Sequence, residues 1–68
     1  MAFLMESKLE QARRHVMTGQ GIVTAQRRRV AALRARGEDC REAERLLLQF
    51  EGTQAIFEAD LAALQPKD

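Results

Sequence analysis

Two stretches of the chain carry inward-facing residues at alternating spacings of three and four. The first is Leu9, Ala12, Val16, Gly19, Val23, Gln26, Val30 and Leu33, and the second is Ala43, Leu47, Phe50, Gln54, Phe57, Leu61 and Leu64. This spacing gathers side chains on one face of an α-helix, so each stretch predicts a helix with a single seam to bury. Only Arg36-Gly37-Glu38-Asp39 lies between them. Helices joined by so short a connection fold back on each other, which predicts an all-α, antiparallel two-helix hairpin occupying 1–68 as one domain.

Local signals set the boundaries: helix 1 over about 6–36, a turn at 37–39 and helix 2 over about 40–64. Ser7 and Glu10 have the spacing of a capping box, and Gly37 suits the left-handed position that follows a helix. Asp39 is the expected N-cap of helix 2, with Glu42 completing a second capping box, and Pro66 follows the end of the seam. Thr18-Gly19-Gln20-Gly21 is the weak point, because an interior glycine costs about 1 kcal/mol relative to alanine. The seam nevertheless keeps its phase from Val16 through Val23 to Val30. That continuity predicts one helix, with Gly19 turned inward to admit a bulky neighbour.

Gln26 and Gln54 interrupt the two seams, and a buried amide needs a partner. Placing them in one layer predicts a register that stacks Leu33 on Leu47, Val30 on Phe50, Val23 on Phe57, Gly19 on Leu61 and Val16 on Leu64. In the flanking columns the same register offers Arg34 to Glu44, Arg27 to Glu51 and Gln20 to Glu58. Phe3, Leu4, Met5, Leu9 and Ala12 then project past the hairpin with nothing to bury against. Helix 2 carries a further stripe, Leu48, Gly52, Ala55, Ala59 and Ala62, with Ile56 beside it. A symmetric homodimer, two hairpins forming a coiled-coil-like four-helix bundle, covers both sets, and these eleven residues are the expected dimer interface.

Size favours this expectation, since a core built from 68 residues contributes only a few kcal/mol without a further staple. One cysteine allows no internal disulfide, and one histidine without a Cys-x-x-Cys pair gives no ordinary zinc site. Charge is segregated although the net is only +1. Lys8, Arg13, Arg14, Arg27, Arg28, Arg29, Arg34 and Arg36 dominate the first half, while Glu38, Asp39, Glu42, Glu44, Glu51, Glu58, Asp60 and Asp68 dominate the second. The halves are complementary to each other before they are complementary to any polyanion. The opening Met1-Ala2-Phe3-Leu4-Met5 is too short to span a membrane and has no basic segment before it, so the expected location is the cytoplasm.

Candidate chemistry is sparse. Cys40 stands at the first turn of helix 2 beside Arg41, but Glu38, Asp39 and Glu42 surround it, and it reads as an incidental thiol. His15 has no Asp or Glu at helical spacing and reads as an interface or surface residue. The cluster Arg27-Arg28-Arg29 suggests phosphate contacts. With Arg27 and Arg34 claimed by glutamates, a nucleic-acid surface falls to Arg14, Arg28 and Arg29, without a Trp or Tyr for base stacking. No nucleophile and base share a predicted face and no Gly-rich loop follows a strand. The expectation is therefore a non-enzymatic protein without cofactor, metal or small-molecule substrate.

The run His15-Val16, Gly19, Gln26-Arg27, Val30, Leu33, Gly37-x-Asp39, Ala43-Glu44, Leu46-Leu47 and Phe50-Glu51 resembles a group of short bacterial proteins built from a helix, a Gly-x-Asp turn and a second helix. The resemblance implies the hairpin and no activity. Pattern and charge together predict a self-associating adaptor or regulator acting through protein–protein contacts, with an arginine-based nucleic-acid-binding regulator as the alternative.

Overall fold

The computed structural model describes residues 6–65, and Phe3, Leu4 and Met5 lie outside them. Two helices make up the fold, α1 over Lys8–Ala35 and α2 over Arg41–Leu64, packed against each other. The pairing is antiparallel: Gln26 reaches Ala43, whereas Gln54 reaches back to Val16.

The amino end of α1 is closed by the expected capping box. Ser7 Oγ accepts from the Glu10 amide at 3.0 Å, and Glu10 Oε1 accepts from the Ser7 amide at 2.9 Å. The other end finishes in a Schellman turn: the Gly37 amide donates to Arg34 O at 3.0 Å and the Glu38 amide to Leu33 O at 2.9 Å. Gly37 sits at φ 69°, where a side chain is strained. Helix α2 departs from the expected capping. Its N-cap is Cys40, which makes no side-chain cap, because the Schellman turn leaves Asp39 a residue further from the helix. From there the Asp39 carboxylate accepts from the Arg41 amide at 3.0 Å and pairs with the Arg41 guanidinium at 2.8 Å. Glu42 pairs forward with Arg45 instead of reaching back.

Helix α1 runs unbroken through Gly19 and Gly21, and its seam is buried from Ala12 to Val30. On α2 only Ala43 and Gln54 are buried, with Leu47, Phe50, Phe57 and Leu61 half-covered. Two helices form a single layer, so among the described residues none of the large side chains is fully enclosed.

The register differs from the one that pairs the glutamines. Gln26 Nε2 donates to the backbone carbonyl of Ala43 at 2.9 Å, and Gln54 Nε2 donates to that of Val16 at 3.0 Å. Each amide takes the free lone pair of a helix carbonyl on the opposite helix, so neither glutamine needs the other. Gln54 lies on Gly19, where Leu61 was expected, a shift of two helical turns. Arg27–Glu51, at 2.9 Å, and Arg34–Glu44 still form. Cα–Cβ bonds tilt toward the amino end of each helix. In an antiparallel pair, long flanking side chains therefore lean toward one another along the axis and meet from different levels. The shift brings the amino end of α1 alongside the carboxyl end of α2. Ala12, expected to project from the hairpin, is 7% exposed within it, and Leu9 is half-buried.

Gly19 holds this register open. A Cβ there would lie 1.7 Å from Gln54 Oε1 and 3.3 Å from Phe57, whereas a Cβ on Gly21 meets nothing within 4 Å. Gly21→Ala should gain about 1 kcal/mol in helix propensity and raise the melting temperature by about 4–8 °C. Gly19→Ala makes the same backbone gain but expels the Gln54 amide from its hydrogen bond, a loss of about 1–3 kcal/mol, and should lower the melting temperature. Thermal unfolding of the two variants followed by circular dichroism checks the opposite signs.

Candidate functional site

The hairpin has two unlike flanks. At 100° per residue, positions on either side of a helical seam turn to opposite sides of a two-helix layer. On one side the Arg27–Glu51 and Arg34–Glu44 pairs cross between the helices, and Gln20, Val23, Thr24, Arg27, Gln54 and Glu58 border a shallow hollow between them. This flank is polar and internally satisfied.

The other flank is apolar. Gly19, Ile22, Phe50, Thr53, Gln54 and Phe57 line one groove on it, and a second hollow opens toward the helix ends between Lys8, His15, Phe57, Asp60 and Leu64. Phe57 borders both. The His15 ring lies against it, with centroids 5.0 Å apart and planes inclined by 33°. Ile22 is 45% exposed, and Phe50 and Phe57 are half-buried. Beneath the groove Gln54 is only 7% exposed, and its Oε1 has no hydrogen-bond donor among the described residues. That oxygen fills the place of the side chain Gly19 lacks, which ties the groove floor to the close approach of the helices.

The expected interface residues fall elsewhere. Leu48 and Ile56 are 70% and 61% exposed, and Gly52, Ala55, Ala59 and Ala62 are exposed along the outward side of α2. Ala55 borders a hollow shared with Arg27, Glu51 and Glu58, so this stripe adjoins the charged flank. Ala12 is buried within its own hairpin and Leu9 is half-buried. The three arginines of the nucleic-acid alternative divide. Glu6 grips Arg14 through two hydrogen bonds, both 2.8 Å, while Arg28 and Arg29 are exposed and form no ion pair among the described residues. Cys40 is a half-buried free thiol at the start of α2. Among the described residues no cluster of three His, Cys, Asp or Glu side chains could hold a metal ion, and no helix is long and apolar enough to cross a membrane.

Assigning Phe50 and Phe57 wholly to the seam hid the apolar flank. Its signal is the asymmetry of the neighbouring columns: Gln20, Arg27 and Arg34 with Glu44, Glu51 and Glu58 on one side, and His15, Ile22, Leu46 and Thr53 on the other, where Lys8, Arg29 and Asp60 put charge only toward the ends. No protein-family model, curated protein or solved structure matches the chain.

Three carboxylates are held below their ordinary pKa values. Hydrogen bonds from Arg14 lower Glu6, backbone and hydroxyl donors of Ser7 lower Glu10, and hydrogen bonds from Arg41 lower Asp39. A depressed carboxylate contributes stability above its unfolded-state value, near 4.5 for the glutamates and 3.8 for Asp39, and that contribution is lost as pH falls through the lower folded value. The melting temperature should therefore hold from about pH 7 to about pH 5 and fall in more acid solution. Glu10→Gln, whose amide oxygen still accepts from Ser7, should make the fall shallower; an unchanged profile would show that the capping carboxylate does not carry it.

Proposed function

We propose that this chain is a non-enzymatic helical hairpin that self-associates and acts through protein–protein contacts as a small adaptor or regulator. One observation carries the reading: the hairpin is a single layer. Among the described residues α1 and α2 pack only on each other, with no third element across either flank. Stable domains enclose their core between two layers, and here the large seam residues of α2 stay half-covered. A second hairpin completing a four-helix bundle supplies the missing layer and the staple that a chain of 68 residues needs.

Arg28 and Arg29 support a second reading, nucleic-acid binding, because neither is engaged by a carboxylate among the described residues. Consecutive positions point about 100° apart on the helix, however, and Arg14 is already held by Glu6. Sedimentation equilibrium at micromolar concentration should give twice the 7.7 kDa chain mass, and a gel shift at low salt should show no complex with duplex DNA or RNA. A 7.7 kDa species throughout would refute self-association. A salt-sensitive shift abolished by Arg28→Ser with Arg29→Ser would favour the second reading.

A further inference from the structure

We propose that a second copy of the chain seats on the flank formed by His15, Ile22, Phe50, Thr53 and Phe57, and not on the alanine-rich outer side of α2. The inference rests on self-association as read above and identifies its surface.

Ile22 is 45% exposed and Phe50 and Phe57 are half-covered, so the flank holds apolar surface that a further layer would remove from water. Of the available surfaces, only this flank closes the seam itself. A layer laid over it finishes the burial of Phe50 and Phe57, already half-covered, together with Ile22. Packing on the outer side of α2 covers Leu48 and Ile56 with the small residues Ala55, Ala59 and Ala62, but it leaves the seam open, with Phe50 and Phe57 still half-covered. The charged flank is disfavoured because covering it dehydrates the Arg27–Glu51 and Arg34–Glu44 pairs.

The flank also suits a copy of itself. Ile22 and Thr53 line one groove, so they mark its middle. Arg29 lies seven residues from Ile22 toward the turn, and Asp60 lies seven residues from Thr53 toward the open end, each about 10 Å away. A two-fold axis lying across this middle reverses the second hairpin. Its Asp60 then comes to the end that carries Arg29, and the converse pairing follows by symmetry. The uncharged residues Ile22, Phe50, Thr53 and Phe57 fill the centre, as an isologous interface requires. Lys8 borders the hollow of Asp60 and adds a second cation at that end.

Sedimentation equilibrium of full-length variants tests the face. Ile22→Lys, at a position already open to solvent, should raise the dimer dissociation constant by roughly a hundredfold, since the loss counts once in each copy. Ala59→Lys should leave it unchanged, with helical circular dichroism preserved in both. Independently of any folding defect at Ile22, Arg29→Asp should weaken the dimer and Arg29→Asp with Asp60→Arg should restore it. A dimer that survives Ile22→Lys and is broken by Ala59→Lys overturns this face while self-association stands. So does a charge swap that fails to restore what Arg29→Asp loses. A monomeric wild-type chain overturns self-association itself.

Discussion

Two side-chain amides that cross the hairpin in opposite directions fix how its helices lie together. Gln26 of α1 donates to the Ala43 carbonyl of α2, and Gln54 of α2 donates to the Val16 carbonyl of α1. The net gain from each bond is modest, about 1 kcal/mol, but a buried amide deprived of its partner costs about 1–3 kcal/mol, so sliding the helices is penalised twice. Both bonds depend on small residues. Gly19 makes room for Gln54, and the carbonyl that Gln26 reaches belongs to an alanine. Apolar seams alone tolerate a slip of one repeat; the need for a residue without a Cβ opposite Gln54, met at Gly19, does not.

The register they impose shapes the surface. Because Gln54 is drawn onto Gly19, Phe57 lies against His15 and borders the groove with Ile22 and Phe50. The opposite flank is occupied by arginine–glutamate pairs, each exposed and of small individual worth, whose combined effect is to keep that side polar. One side of a single-layer hairpin is thus satisfied and the other is unfinished. The proposed self-association follows from this asymmetry rather than from any catalytic or metal-binding group.

Much of the fold was legible in the sequence because it follows from short-range chemistry. The spacing of Val16, Val23 and Val30 carried α1 through two glycines, Ser7 and Glu10 capped it, and Gly37 ended it. The register was harder to read because the partner of each glutamine is a backbone carbonyl, present at every position and invisible as a pattern. The charge columns misled for a related reason: Arg27 and Glu51 lean toward each other and meet at 2.9 Å in a register two turns away from the expected one. Asp39 failed as an N-cap because the Schellman turn claims the preceding amide and sets Asp39 back by a residue. The apolar flank was written in the columns beside the seam, in Ile22 and Thr53 facing no charge, but became visible only once the register was known.

The central claim, that backbone-directed glutamines set the register, is tested most directly by nuclear Overhauser effects from the two side-chain amide groups. The Gln54 Nε2 protons should show cross-peaks to the α-protons of Val16 and Gly19, and those of Gln26 to Ala43, with none between the glutamines. A cross-peak between the Gln26 and Gln54 amides would contradict the account and place both residues in one layer.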